Sequence, residues 1–188
     1  MPTPPSLRQS MEAHLASLGR IVDAADTIEH IAQAIQQALD SGKKVLTCGN
    51  GGSAAEALHL AEEMMGRFSR DRPPMAAVCL AADPAALTCI ANDYGYEEVF
   101  ARQVAGLGQT GDVLIAMSTS GKSPNILKAL QKGRELGLTN IGFLGRPGSP
   151  AEGLCDLALT TQADHSAHIQ ELHLVVIHLL LEYLDERA

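Results

Sequence analysis

The sequence predicts an α/β fold in which helices cover both faces of a parallel sheet. Short apolar segments alternate with helical patterns from residue 45 to the end of the chain. That alternation is typical of parallel strands joined by helical crossovers. The 188 residues, 46% of them hydrophobic, suffice for one domain with a sizeable core. We therefore expect a single domain over residues 1–188, with a helical region over 1–40 and an α/β core over 41–188.

The first forty residues carry apolar side chains three or four positions apart, which is the spacing of one helical face. Ser41-Gly42 then ends the helical region. The apolar positions are Leu7, Met11, Leu15, Leu18, Val22, Ile28, Ile31, Ile35 and Leu39.

Five apolar segments beyond that point read as buried strands, and helical patterns separate most of them. The strands are expected at residues 45–48, 76–80, 112–117, 139–144 and 154–159. Helices are expected from Ser53, from the cap Asp83 with Pro84, over 123–135 and over 168–186. In such sheets ligands bind at the carboxyl ends of the strands.

The composition argues against several classes of protein. A net charge of -8 and 3% aromatic residues disfavour a nucleic-acid surface. The first five residues lack the features of a signal peptide, and no apolar run reaches the roughly 20 residues that span a bilayer. Four cysteines without a C-x-x-C pair read as reduced thiols. We expect a soluble, cytoplasmic protein without nucleic-acid or membrane partners.

Residues 118–123, Ser-Thr-Ser-Gly-Lys-Ser, follow the third strand and precede a helix. Ser123 suits the N-cap and Pro124 the first helical position. A helix start binds anions through free N–H groups, and Ser118, Thr119, Ser120 and Ser123 add four hydroxyl donors. Since one cap needs a single hydroxyl, the turn predicts a phosphate site more strongly than an ordinary connection.

A second candidate turn, Gly-Asn-Gly-Gly-Ser at residues 49–53, follows the first strand. It is neither a P-loop nor a dinucleotide fingerprint, because the required lysine and glycine spacings are missing. Ser53 with Glu56 also fits a capping box, so part of the pattern can be structural.

Charged and polar side chains with catalytic potential lie on two helices. His59 and Glu63 are four apart and share a helical face, which suits a metal, an acid–base pair or a surface ion pair. Gln170 and His178 lie on the last helix, where the apolar surroundings of His178 also fit a buried core histidine. Asn92-Asp93 reads either as a plain turn after a helix or as a hydroxyl-binding pair.

Taken together, these segments closely resemble the bacterial sedoheptulose 7-phosphate isomerases of the sugar isomerase (SIS) family. The resemblance covers nearly the whole chain and is carried by residues 48–53, 59–67, 92–95, 118–123 and 169–173 with His178. It implies a flavodoxin-like three-layer sandwich and a homotetramer with the N-terminal helix packed between subunits. It also implies conversion of sedoheptulose 7-phosphate to D-glycero-D-manno-heptose 7-phosphate for bacterial heptose and lipopolysaccharide synthesis.

The resemblance also assigns roles to individual residues. Glu63 is the candidate base and His178 the candidate acid, and one zinc ion per subunit is expected at His59, Glu63, Gln170 and His178. Ala167-His168 stands where many of these enzymes carry Asp-Arg or Thr-Arg. Substrate contacts are implied for Asn50, Gly51, Gly52, Ser53, Glu63, Asn92, Asp93, Ser118, Thr119, Ser120, Ser123 and Gln170.

Two other functions fit the same fold. A related SIS-domain protein binds the bacterial replication initiator without catalysing a reaction, and a sugar-phosphate-binding regulatory module is the third possible function. Retention of both Glu63 and His178 favours the enzyme, because a binding protein has no need for that pair.

Overall fold

Five parallel strands form the central sheet of the computed structural model, which describes residues 6–161, 163 and 165–187. Their order across the sheet is β2-β1-β3-β4-β5, and every neighbouring pair is parallel. This is the flavodoxin-like order, so the predicted fold class is confirmed. The strands are β1 Val45–Gly49, β2 Ala77–Cys79, β3 Val113–Ser118, β4 Thr139–Leu144 and β5 Leu157–Thr160.

Helices cover both faces of this sheet. Alternate residues of β3 point to opposite faces of the sheet: Val113 and Ile115 belong to one buried apolar cluster, and Leu114 belongs to another. Both sides of the central strands are therefore apolar, as in a parallel sheet that is buried on both faces. The helices are α1 Leu7–Gly19, α2 Ala25–Asp40, α3 Gly52–Met65, α4 Pro84–Tyr94, α5 Ala101–Leu107, α6 Pro124–Leu136 and α7 Ser166–Asp185.

The N-terminal helical region divides into α1 and α2, joined by a 3-10 turn at Arg20–Ala24. The apolar face of α2 is buried against the sheet, whereas the apolar side chains of α1 remain largely exposed. Residues 1–5 lie outside the described residues. They are the segment in which the sequence shows no features of a signal peptide. None of the described helices combines the length and the apolar composition that a membrane span requires.

Three local predictions are wrong. Asn92 and Asp93 lie within the last turn of α4 and not after it, because the helix continues to the glycine at position 95. Helix α3 begins at Gly52 with Gly51 as its N-cap, so the predicted Ser53–Glu56 capping box does not form. Strand β5 starts at Leu157, later than expected, because a 3-10 turn occupies Glu152–Leu154.

A buried ion pair joins the carboxyl ends of α3 and α7. Arg72 Nε donates to Asp185 Oδ1 at 2.7 Å, and both side chains are at most 3% exposed. The two terminal nitrogens of Arg72 donate to the carbonyls of Met64 and Glu63, which lack a partner within α3 because they lie at its end. Arg72 therefore fixes the end of α3 against the end of α7.

Asp185 accepts further hydrogen bonds from the Ser69 amide and hydroxyl and from the Arg70 amide. Burial by itself would raise the pKa of Asp185, but these bonds and Arg72 outweigh it and hold that pKa well below the ordinary value. Because the pKa is lowered on folding, the stabilisation is present above the unfolded value of about 3.9 and is lost as the pH falls.

We expect Asp185→Asn to destabilise the fold by about 3–5 kcal/mol, because it leaves a buried guanidinium without its carboxylate. Urea unfolding at neutral pH measures the loss. Below about pH 4 the difference from the wild type should shrink, because the unfolded chain then binds a proton at Asp185 that the folded chain does not. Glu186→Gln is the matched control, because the Glu186 carboxylate is exposed. It should change the free energy of unfolding by less than about 0.5 kcal/mol. An equal effect of both changes would contradict a stabilising role for the Arg72–Asp185 ion pair.

Candidate functional site

The two turns predicted to bind ligand lie at the carboxyl ends of neighbouring strands. Strands β1 and β3 pair along residues 45–49 and 113–117, so the turns that follow them meet at one edge of the sheet. The strand order reverses between β1 and β3, and open α/β sheets bind ligands at such a switch point. The sheet topology thus provides a crevice between the two turns.

The glycine turn brings the backbone close to this crevice. Gly51 has φ +57°, a conformation that favours glycine, and caps the start of α3 without a side chain. Gly52 is exposed and Ser53 is buried beneath it. Burial raises the pKa of the preceding Cys48 thiol, so that sulfur stays protonated and is no nucleophile.

The Ser118 turn uses half of its predicted hydroxyls internally. Ser118 Oγ accepts from the Gly121 amide at 3.0 Å, and Ser120 Oγ accepts from the Lys122 amide at 3.2 Å. Ser123 occupies the N-cap position of α6 as predicted, but its hydroxyl does not cap the helix. Each bonded hydroxyl still has its own proton to donate, so the bonds shape the turn without removing its donors.

A hydrogen-bonded trio that the sequence analysis did not identify links the two turns. Asn50 and the buried Asn125 bond each other through both amide groups, at 2.9 and 2.8 Å. The Tyr96 hydroxyl donates to Asn50 Oδ1 at 2.8 Å. Asn125 is the second residue of α6, a position at which an asparagine gives no distinctive sequence signal. The trio joins the glycine turn, the Ser118 turn and the segment after α4.

Asn92 and Asp93 are exposed on α4, and Asn92 Nδ2 donates to Asp93 Oδ1 at 2.7 Å. They lie four and three residues before Tyr96, which reaches the glycine turn through its hydroxyl. Their role in binding hydroxyl groups remains a prediction.

Helices α3 and α7 run side by side, and three successive contacts join them. At the first, the Gln170 carboxamide lies over Gly52, where an added Cβ would stand 2.5 Å from Gln170 Nε2. At the second, the fully buried His173 faces Glu56, with Nδ1 and Oε2 3.8 Å apart and no closer partner for either ring nitrogen among the described residues. The third contact brings together the predicted acid–base groups.

That third contact is between two imidazoles. His59 Nε2 and His178 Nε2 are 3.1 Å apart, and one ring donates to the other. Glu63 Oε1 lies 4.0 Å from His59 Nε2, and Phe68 stacks on the His178 ring at 5.7 Å. The sequence-predicted His59, Glu63 and His178 therefore converge, and His178 is only partly buried, unlike a core histidine.

Glu62 joins this group although the sequence analysis did not name it. Its Oε2 lies 3.5 Å from His59 Nδ1, on the far side of the ring from His178. The three-residue spacing from His59 was the available signal, because it places Glu62 on the same helical face. A carboxylate behind a histidine orients the ring and directs its other nitrogen.

The donor set fits zinc. Ligand atoms of His59, Glu62 and Glu63 lie within 4.8 Å of one another, and His178 adds a second imidazole. Two ring nitrogens and a carboxylate are common zinc donors. The Gln170 carboxamide contacts Gly52 at the start of α3. Gly52 is seven residues from His59, which is roughly 10 Å along the helix axis.

His168 lies apart from this group. Its ring packs against His14 of α1, with centroids 3.8 Å apart, and against His165 at 5.3 Å. His168, which stands where many sedoheptulose 7-phosphate isomerases carry arginine, therefore contacts α1 of the same chain.

Known proteins share both the sequence pattern and the fold. Residues 11–145 match the family model of the SIS domain. A phosphoheptose isomerase of a Bradyrhizobium species is 51% identical over 173 residues, which cover 92% of this chain and 82% of the relative. The chain belongs to the phosphoheptose isomerase family. It therefore shares that family's SIS domain as well.

Solved structures of this family superpose on nearly the whole chain. A phosphoheptose isomerase from Neisseria gonorrhoeae gives a TM-score of 0.86 at 36% identity and covers 96% of this chain and 100% of its own. The one from Francisella tularensis gives 0.89 at 33% identity, with 97% and 100% covered. The predicted family is confirmed.

Gly52→Ala tests the first contact between α3 and α7. The added Cβ displaces the flexible Gln170 side chain, while the start of the helix tolerates alanine. We expect kcat/KM for a phosphoheptose to fall roughly 10- to 100-fold, with a change in unfolding free energy below about 1 kcal/mol.

Gly106→Ala is the control, because an added Cβ there meets no atom within 4 Å. It should leave activity unchanged. Full activity of Gly52→Ala would show that the position of Gln170 does not matter to the reaction.

Proposed function

We propose that the protein is an aldose–ketose isomerase that converts sedoheptulose 7-phosphate to D-glycero-D-manno-heptose 7-phosphate for bacterial heptose and lipopolysaccharide synthesis. The observation that carries the proposal is the convergence of Glu63 with the His59–His178 pair, in a chain of the phosphoheptose isomerase family. A binding protein has no use for that acid–base group.

The reaction moves one proton between adjacent carbons. The Glu63 carboxylate takes a proton from carbon 1 of the ketose, which forms an enediol between carbons 1 and 2. The same carboxylate returns the proton to carbon 2, while His178 gives a proton to oxygen 2 and accepts the one from oxygen 1. Each such acid–base group contributes on the order of 10²- to 10⁴-fold in rate.

His59 and Glu62 support this exchange. The Glu62 carboxylate 3.5 Å behind His59 favours a proton on Nδ1, which leaves the His59 Nε2 lone pair facing His178. His178 then donates to His59 in the resting site and carries the proton that the sugar oxygen needs. Phe68 on the His178 ring limits the directions in which that ring can turn.

We also propose one zinc ion per subunit, which would be held by His59, Glu63 and His178 in place of the His59–His178 hydrogen bond, and by Gln170 once its carboxamide turns away from Gly52. When bound, zinc polarises a carbonyl and stabilises negative charge on an enediolate oxygen. Gln170 is the least usual donor of the set, and it reaches the start of α3 in the described geometry.

The phosphate end of the substrate is proposed to bind at the Ser118 turn and the glycine turn. The N-termini of α3 and α6 offer amide groups there, and Thr119, Ser120 and Ser123 add hydroxyl donors. From Gly52 to His59, α3 rises roughly 10 Å. An extended heptose phosphate, with bonds near 1.5 Å, has a similar length of about 10 Å.

The proposed location is the cytoplasm, because all four cysteines are free thiols in the structure. A non-catalytic SIS protein that binds the replication initiator, or a regulatory module, is the alternative. Neither requires Glu63 and His178 to converge, and turnover of the substrate decides between them and the enzyme.

We expect the purified protein to convert sedoheptulose 7-phosphate, and a chelator to slow the reaction until zinc is added back. Glu63→Gln should lower kcat by about 10²- to 10⁴-fold, while calorimetry still detects substrate binding. Glu182→Gln, the same charge change at an exposed position of α7, is the control and should retain full activity.

Three outcomes separate the parts of this proposal. Unaltered turnover by Glu63→Gln removes Glu63 from the mechanism. A rate that is indifferent to the chelator removes zinc. No turnover by the wild type, together with binding to an initiator protein, overturns the isomerase.

A homotetramer is proposed from the surface of α1. Its apolar side chains and Val22 of the following 3-10 turn form a stripe that the described residues leave largely exposed, and large exposed stripes of this kind mark protein interfaces. The exposed fractions are 86% for Leu7, 66% for Met11, 69% for Leu15, 42% for Leu18 and 75% for Val22.

Leu15→Glu should break the proposed tetramer, because it places a charge in the middle of the stripe. Light scattering should give about four chain masses for the wild type and a smaller assembly for the variant. Glu12→Gln, at an exposed polar position of α1, should leave the mass unchanged. A monomeric wild type would contradict the tetramer.

A further inference from the structure

The Asn50 carboxamide has three of its four hydrogen-bonding positions engaged within the chain. Oδ1 accepts from Asn125 Nδ2 at 2.8 Å and from the Tyr96 hydroxyl at 2.8 Å. Nδ2 donates to Asn125 Oδ1 at 2.9 Å. An amide offers two acceptor sites and two N–H donors, so one N–H of Asn50 remains.

The pairing fixes where that remaining donor points. A reciprocal amide pair keeps both carboxamides in one plane, and Asn125 is 2% exposed and held at the start of α6. The Asn50 side chain therefore cannot rotate without breaking two hydrogen bonds. Its free N–H lies at the glycine turn, between the ends of β1 and β3.

Tyr96 adds a third bond to the pair. Its hydroxyl donates to Asn50 Oδ1, which already accepts from Asn125 Nδ2, so both acceptor sites of that oxygen are occupied within the chain.

We propose that Asn125 and Tyr96 are positioning residues that aim one Asn50 N–H at an oxygen acceptor of the bound sugar phosphate. The proposal rests on the proposed function, because it names how that site orders its substrate. Asn125 acts through Asn50 and does not itself need to reach the sugar, since its carboxamide is buried between the two turns. The acceptor is a hydroxyl, carbonyl or phosphate oxygen.

A double-mutant cycle tests this dependence. Asn125→Ala should lower kcat/KM for sedoheptulose 7-phosphate roughly 10- to 100-fold, because Asn50 loses its orientation. Asn50→Ala should have a similar effect. The double variant should be no worse than Asn50→Ala, within about twofold, because residues that act through one another are not additive.

Tyr96→Phe provides a second variant that cannot fail through misfolding of the core, since the tyrosine is 61% exposed. It should lower kcat/KM by about 2- to 10-fold, the value of one hydrogen bond, and have no effect when Asn50 is already alanine. Asn125→Gln, which keeps a carboxamide at this position, should retain part of the activity that Asn125→Ala loses.

Asn140→Ala is the matched control. Asn140 is also fully buried, but its Nδ2 donates to the carbonyls of Leu130 and Leu154, so its loss should destabilise the fold without depending on Asn50. Losses from Asn125→Ala and Asn50→Ala that multiply in the double variant would overturn the proposal. An inactive wild type would instead refute the proposed function.

Discussion

The buried ion pair between Arg72 and Asp185 sets the relation of two helices on which the whole acid–base group lies. It closes one end of the α3–α7 pair, and the contact of Gln170 with Gly52 closes the other. Between them the two helices present His59, Glu63 and His178 to one another. A shift of either helix by one residue, about 1.5 Å, would separate the two imidazoles.

The buried pair of His173 and Glu56 lies midway along the same contact, under apolar cover from Phe143. Because no hydrogen bond joins the two and neither His173 ring nitrogen has another partner among the described residues, this level contributes least to the register of α3 against α7. The catalytic group therefore depends on contacts at three levels of one helix pair. The Ser118 turn depends on the sheet instead, through the register of β1 with β3.

Much of this arrangement could be predicted from the sequence, because local rules decide it. Apolar periodicity found the strands and helices, and four-residue spacing put His59 and Glu63 on one face. Pairings between distant segments could not be read in this way: nothing near Asn125 indicates Asn50, and nothing near Glu56 indicates His173. The Ser53–Glu56 capping box failed for a related reason, because the glycine turn allowed α3 to start one residue earlier and left Glu56 to meet α7.

In the proposed reaction, Glu63 and His178, held by α3 and α7, move a proton between adjacent carbons of a ketose phosphate. Turnover of sedoheptulose 7-phosphate in heavy water tests it most directly, with the position of deuterium in the aldose read by nuclear magnetic resonance. A carboxylate base whose bound proton exchanges with solvent should leave deuterium at carbon 2 of the wild-type product, and Glu63→Gln should incorporate that deuterium at least about 10²-fold more slowly. Incorporation by Glu63→Gln at the wild-type rate would contradict proton transfer by Glu63.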